Sequence, residues 1–259
     1  MEIVCIERVM IAVADVDDAR DRWRRAGFAI APSEYRDERI RVARLAAGAV
    51  AIDLCSVDTS VRESRAGSLE AQVRATAARG GGIVGWTWGV RGPIESPDAD
   101  AALRATRLTN VLTLTATVDD LPQRYARLAA LCGANANTVD YLEHIVVMTP
   151  VLEDAIAANE ALGVPCKRIR DAGRGMRQAF FKLEQTVIEV VGPAPDRPGC
   201  WGVAFMCTDI AKAVATARSA GLEATEPKAA IQGGRIARIV APLDGVAIAF
   251  MEAPAPAAS

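Results

Sequence analysis

One histidine and one glutamate stand out as residues that could do chemistry together. His144 is the only histidine of the chain and lies in the apolar stretch "LEHIVVM", while Glu189 lies in the apolar stretch "TVIEVVG". Both stretches are short and rich in β-branched residues, which is typical of β-strands. An imidazole titrates near working pH and can act as a general acid or base. The alternative interpretation is a histidine that is simply hydrogen-bonded inside a sheet.

The elements around this pair occur twice. Ile6–Asp53 aligns without a gap on Leu142–Glu189 at a constant shift of 136 residues. Each copy predicts a strand, a helix that ends at a glycine, and further strands up to a closing acid. The helix-ending glycines are Gly27 and Gly163. This coincidence of period, turn glycine and acid indicates an internal repeat.

Two further copies follow the same pattern less closely. A shift of 58 residues brings Gly163 onto Gly221, where "WGVAFMCTDIAKAVATARSAG" again predicts a strand and a helix. This copy ends in a predicted hairpin with Asp244-Gly245 as its turn. The remaining copy is degenerate: "GGIVGWTWGV" predicts a strand, but "RGPIESPDAD" carries two prolines and predicts a loop where the helix should stand. Residues 104–118 predict one or two strands.

The repeats predict an α+β fold of four tandem βαβββ modules, the second degenerate. One such module cannot cover its own sheet, so we expect the modules to pair. The expected result is two curved, cleft-enclosing mixed sheets with outer helices. We expect an N-terminal module pair in residues 1–118, a connecting helix and linker in 119–137, a C-terminal pair in 138–255 and a disordered tail in 256–259. The helix in "DDLPQRYARLAALCG" fits either the second module or the connection to the third.

Composition excludes several classes of function. Of the 259 residues, 51% are hydrophobic and 24% are charged, and the net charge is −2, so no basic field favours nucleic acid or an anionic membrane. The apolar runs are strand-sized, and the N-terminus lacks the pattern of a signal peptide. The six cysteines are scattered without a C-x-x-C motif, which favours reduced thiols in a cytoplasmic protein.

The stretches "LEHIVVMTPVLEDAIAANEALG", "TVIEVVG" and "PLDGVAIAFME" resemble the vicinal oxygen chelate superfamily, which contains glyoxalases, bleomycin-resistance proteins and extradiol dioxygenases. The first half also looks like the glyoxalase-like domains of many bacterial proteins. The resemblance covers nearly the whole chain. It implies the fold more specifically than the reaction, because the superfamily includes lyases, isomerases, dioxygenases and drug-binding proteins.

The resemblance also implies where a metal would lie. In metal-dependent members, His or Gln on the first strand and Glu on the last strand of paired modules hold a divalent ion such as Mg, Mn, Fe, Ni or Zn. His144 and Glu189 match these positions in the third module, whereas the fourth has Gly202 and Ala249, which cannot coordinate. The implied site is half present, and the single histidine argues against an extradiol dioxygenase. We expect one weakly held divalent metal or none.

Other residues are candidates for substrate binding. Arg8 and Asp53 occupy the corresponding positions of the first module, where they either form a buried ion pair or bind substrate through Arg8. Trp86 and Trp88 share one sheet face and either stack on a flat ligand or pack in the core. The remaining candidates lie in two loops, whose alternative interpretation is a solvated hairpin. One loop contains Arg174 and Arg177, with Arg168 and Arg170 beside them, and the other contains Gln232.

These residues predict an enzyme that acts on a small organic acid or carbonyl compound by proton transfer of the lyase or isomerase kind. Two mechanisms are compatible with His144 and Glu189: a metal that polarises the substrate, or a metal-free His144 oriented by the Glu189 carboxylate. Glu143 is expected on the opposite sheet face, because strand side chains alternate. The alternative function is a metal-free protein that binds aromatic or drug-like molecules. We expect a small-molecule partner, no nucleic acid or membrane, and a monomer or homodimer.

Overall fold

The computed structural model describes residues 2–35, 39–58, 68–91, 111–196, 198–231 and 233–254. They form two mixed sheets with five helices, so the predicted α+β fold of tandem modules is confirmed. Among the described residues, no helix is long and apolar enough to cross a membrane.

The N-terminal half forms a six-stranded sheet with the order β2-β3-β4-β1-β5-β6. Its strands are β1 (Glu2–Ala12), β2 (Glu34–Tyr35), β3 (Ile40–Ala47), β4 (Val50–Val57), β5 (Gly82–Arg91) and β6 (Leu112–Thr117). Its helices are α1 (Val16–Arg25), α2 (Leu69–Ala77) and α3 (Leu121–Cys132). The first module runs from β1 to β4, and β5 and β6 remain of the second; the predicted loop after Arg91 lies outside the described residues.

The C-terminal half forms an eight-stranded sheet with the order β12-β13-β14-β11-β7-β10-β9-β8. The third module comprises β7 (Val139–Met148), α4 (Leu152–Ala161), β8 (Arg168–Gly173), β9 (Met176–Leu183) and β10 (Thr186–Gly192). The fourth comprises β11 (Gly199–Cys207), α5 (Ile210–Ser219), β12 (Lys228–Ala229), β13 (Arg235–Arg238) and β14 (Ala247–Glu252). The two modules meet through the antiparallel pair β7–β11 and have mirrored strand orders.

The first, third and fourth modules have matching strand registers. In β4, Asp53 is paired with Arg44 of β3; in β10, Glu189 is paired with Phe180 of β9; and in β14, Ala249 is paired with Arg238 of β13. Parallel pairing of the first and closing strands repeats in the same way. The sheet therefore places each closing-strand residue in the same relation to its neighbours.

Local sequence explains how the helices begin and where they pack. Asp15 caps α1 by accepting hydrogen bonds from the backbone N–H groups of Asp17 and Asp18, and Val16, Ala19 and Trp23 form its buried face. The Asp244-Gly245 turn of the fourth module packs against α1 of the N-terminal half. Its Asp244 carboxylate accepts hydrogen bonds from Arg22 at 2.5 Å and from the Trp23 indole at 2.9 Å.

Candidate active site in the C-terminal cleft

A β-bulge in β7 sets the position of His144. Opposite it, Ala204 pairs with His144 and Phe205 pairs with Leu142, so Glu143 is the extra residue. A bulge breaks the alternation of side chains along a strand. The Glu143 carboxylate therefore contacts Nδ1 of the His144 ring, and the expectation that Glu143 faces away was wrong.

The surroundings of His144 keep its ring neutral. Its residue is 6% exposed, and burial, together with the positive charges of Lys182 and Arg170, lowers the pKa of the imidazole to about 4. The carboxylate of Glu143 contacts Nδ1, which leaves Nε2 as the ring nitrogen away from this contact. The carboxylate in contact with the His144 ring is that of Glu143, and orientation of His144 by Glu189 stays a prediction.

Glu189 lies in β10 and is held by a relay of side chains from β9 and β8. Gln178 Nε2 donates a hydrogen bond to Oε1 of Glu189, and Arg170 Nε donates to Oε1 of Gln178 at 2.9 Å. The Arg170 guanidinium also lies 5.5 Å from the centroid of the Phe180 ring. Burial raises the pKa of Glu189, and the positive charge of Arg170 opposes this shift.

Both groups line one cavity of about 660 Å³ on the concave face of the eight-stranded sheet. Most of the wall is apolar and includes Val146, Met148 and Trp201, the last of which is 51% exposed. The charged or titratable residues that line it are His144, Glu189, Arg170, Lys228 and Arg238. An apolar cleft with a few convergent polar groups is typical of small-molecule sites.

The residues present do not complete a metal site. Gly202 and Ala249 line the cavity where the fourth module would supply ligands. A Cβ added to Gly202 would lie 2.3 Å from the backbone oxygen of Ala247, so a coordinating side chain does not fit there without a backbone shift. In the described part of the chain, no three His, Cys, Asp or Glu residues are grouped to hold an ion. Catalytic metals usually have three protein ligands, and this donor set offers His144 and Glu189.

The corresponding cleft of the N-terminal half is filled. Its closing acid, Asp53, is fully buried and accepts two hydrogen bonds from Arg44, at 2.6 and 2.9 Å, and lies 3.2 Å from an Arg8 nitrogen. The hydrogen bond from the Arg44 side chain to Asp53 raises the pKa of Arg44. Beside this pair, Val73 of α2 packs with Met10 and other buried residues of the concave face. The ion pair between Arg8 and Asp53 is therefore formed, and their role in substrate binding stays a prediction.

The other predicted residues that the structure describes do not line the cavity. Trp86 and Trp88 are 0% and 2% exposed, their ring centroids are 5.3 Å apart, and both belong to the main hydrophobic core. Arg174 has a positive φ of 54° in the turn between β8 and β9, and Arg177 forms an ion pair with Glu153 on the surface. Gln232 lies outside the described residues. Their binding roles stay predictions.

Several residues of the cavity were not singled out from the sequence. Gln178 lies two residues after Met176 on β9 and both line the cavity, so the alternation of side chains along the strand places Gln178 on this face. Lys228 and Arg238 lie in β12 and β13, short strands at one side of the sheet that carry weak sequence signals, and Trp201 lies near the start of β11.

Comparisons with known proteins agree with this architecture. Residues 143–237 match the family model of the Glyoxalase/Bleomycin resistance protein/Dioxygenase superfamily. A search of curated proteins found no match.

Two solved structures share this fold over nearly the whole chain. A mutant of 4-hydroxymandelate synthase from Streptomyces coelicolor superposes with a TM-score of 0.69 at 15% identity, over 99% of this chain and 94% of that one. A xylose isomerase-like TIM barrel/4-hydroxyphenylpyruvate dioxygenase fusion protein gives 0.63 at 14% identity, over 98% of this chain and 50% of that one. Methylmalonyl-CoA epimerase from Mycobacterium tuberculosis gives 0.39 at 23% identity, over 46% of this chain and 91% of that one.

Residues 143–237 are thus similar to the glyoxalase, bleomycin-resistance and dioxygenase superfamily, and the chain as a whole shares the fold of the 4-hydroxymandelate synthase mutant.

Proposed function

We propose that the C-terminal cavity binds a small carbonyl compound and that His144 and Glu189 move a proton to or from it. The observation that carries this proposal is that two groups whose pKa values are shifted by burial line one apolar cavity. Titratable groups with shifted pKa values in a cleft are typical of acid–base sites.

The surroundings support different roles for the two groups. Burial raises the pKa of Glu189 toward working pH, which suits a base that removes a proton from the carbon next to a carbonyl. Gln178 fixes the orientation of this carboxylate through its hydrogen bond. His144, neutral and oriented by Glu143, offers Nε2 as an acceptor for a substrate hydroxyl. The positive charge of Arg170 on the cavity wall stabilises the negative charge that develops on the carbonyl oxygen.

Proton transfer can be tested before the natural substrate is known. A panel of small keto acids and ketones is incubated with the protein in D₂O, and NMR follows exchange of the protons next to the carbonyl. We expect catalysed exchange with at least one compound, and a loss of about 100- to 10,000-fold in Glu189→Gln, the range typical of general acid–base catalysis. Glu160→Gln, on the exposed side of α4, is the matched control and should keep full activity. Equal exchange in Glu189→Gln and the wild type would refute the proposal.

A binding protein without catalysis is the second candidate. It is favoured by the apolar wall of the cavity and by Gly202 and Ala249 at the positions of ligands. Calorimetry separates the two candidates: a compound that binds stoichiometrically, with no exchange of its protons and no dependence on Glu189, supports the binding protein.

A further inference from the structure

Arg238 occupies the strand position that Arg44 holds in the first module. In that module Arg44 is paired across the strands with Asp53, and its guanidinium binds the Asp53 carboxylate in bidentate fashion at 2.6 and 2.9 Å. In the fourth module the same strand position is held by Arg238, and its cross-strand partner is Ala249. The arginine is retained, but the acid that it would bind is replaced by a methyl group.

The space that the missing carboxylate leaves belongs to the cavity. Ala249 and Arg238 both line it, as do Gly202 and Ala204 on the neighbouring strand β11. Residues directly opposite each other on adjacent strands have side chains on the same face, so Arg238 lies over this floor of small residues. On the other side of the floor, Ala204 is paired with His144.

The charges of the cavity favour an anion. Three cationic side chains line it, those of Arg170, Lys228 and Arg238, against one carboxylate, that of Glu189. Arg170 is engaged with Gln178. Within the residues that the structure describes, no carboxylate forms an ion pair with Arg238. Arg44, at the equivalent position of the first module, forms one with Asp53.

We infer that the ligand of this cavity carries a carboxylate, which takes the place over Ala249 that the Asp53 side chain takes in the first module and is bound by Arg238. This inference rests on the proposed function and adds the anchoring group of the substrate. An arginine binds a carboxylate through two parallel hydrogen bonds, which fixes the orientation of the ligand as well as its position. The apolar body of the ligand then lies along the wall toward His144 and Glu189.

A matched pair of probes tests the anchor. The acid 1-naphthylacetate and its neutral amide, 1-naphthylacetamide, share one apolar body and differ in charge. Isothermal titration calorimetry should show that the wild type binds the acid at least about 10-fold more tightly than the amide, the effect expected of a charged hydrogen-bonded pair. Arg238→Gln should remove this preference and leave binding of the amide unchanged.

Two variants of Ala249 test the position of the carboxylate. Ala249→Asp supplies the missing acid and should pair with Arg238 as Asp53 pairs with Arg44, which abolishes binding of the acid but not of the amide. Ala249→Asn, of the same size without the charge, is the control and should weaken binding of the acid and the amide equally. Thermal unfolding curves check that each variant is folded. If an Ala249 variant is unstable, Arg238→Lys takes its place as the test: it keeps the charge and should keep part of the preference for the acid.

The outcomes separate this inference from the proposed function. Equal affinity for the acid and the amide, or a preference that survives Arg238→Gln, would overturn the inference while leaving the cavity as a binding site. A larger loss in Lys228→Gln than in Arg238→Gln would overturn the assignment of Arg238. If neither probe binds at millimolar concentration, the inference is contradicted, whereas the exchange assay tests the proposed proton transfer by itself.

Discussion

The two halves of the molecule build one frame and use it in opposite ways. At equivalent positions, the N-terminal half has Arg8, Arg44 and Asp53, and the C-terminal half has His144, Phe180 and Glu189. In the first half the acid is neutralised by two arginines and the cleft is covered by α2. In the second half the acid faces a cavity of about 660 Å³ and is held by the neutral side chain of Gln178.

The two acids differ in how their charge is paired. A buried carboxylate with bidentate arginine partners is satisfied and has no free acceptor for a ligand. A carboxylate in an apolar cavity with one amide partner has a raised pKa and free lone pairs. The same closing-strand position is therefore ion-paired in one half, and in the other half it carries the carboxylate that we propose for proton transfer.

The largest expected effect is on stability, from neutralising the two acids in turn. Asp53→Asn removes the carboxylate that binds Arg44 in bidentate fashion and leaves Arg8 with Glu7 alone, and should lower the free energy of unfolding by about 3 to 5 kcal/mol. Glu189→Gln removes a carboxylate that burial disfavours and should leave stability unchanged within about 1 kcal/mol. Urea denaturation of both variants measures the contrast; equal losses would mean that the two clefts are not different in kind.

The apolar parts of the two clefts give a second contrast. Met10 is fully buried under α2, and Val146 stands at the equivalent position on the wall of the open cavity. Met10→Ala should cost about 3 kcal/mol, because it leaves a void in a packed core. Val146→Ala should cost less than about 1 kcal/mol, since that side chain already faces open space. Denaturation midpoints compare them, and a larger loss at Val146 would contradict the account.

Acid pH should weaken the C-terminal half through His144. The unfolded chain takes up a proton near the ordinary histidine pKa of 6.5, whereas the folded protein takes it up only near 4. Stability from this group is therefore complete above pH 6.5 and falls as the pH drops toward 4, by about 3 kcal/mol at most. His144→Gln should flatten this part of the pH–stability curve, and an unchanged slope in the variant would show that His144 is not its source.

The smallest effect concerns the support of Glu189. Gln178→Ala removes the hydrogen bond to the Glu189 carboxylate, which favours its charged form. We expect the acid limb of the pH–exchange profile to move to higher pH. Gln185→Ala is the matched control, because the Gln185 side chain accepts a hydrogen bond from Tyr125 and not from a cavity residue. It should not move the acid limb of the profile.

Much of this contrast was visible in the sequence, because the constant shift between the copies aligns Arg8 with His144 and Asp53 with Glu189. Strand and helix patterns then predicted the modules and their pairing. The sequence did not show the bulge that turns Glu143 toward His144, because a bulge depends on the register of two strands that are distant in the chain. It also did not show that α2 covers the first cleft, since a short amphipathic helix has the same pattern on either side of a sheet. The equivalence of Arg238 with Arg44 could not be predicted either, because it appears only when the strand registers of the two modules are compared.

One measurement tests the central claim, that the ligand site is the cavity beside His144. The chain has one histidine, so its imidazole NMR signals have one assignment. We expect these signals to shift when 1-naphthylacetate is added and to saturate at the affinity that calorimetry gives. Calorimetric binding that leaves the His144 signals unchanged would place the ligand elsewhere and contradict the account.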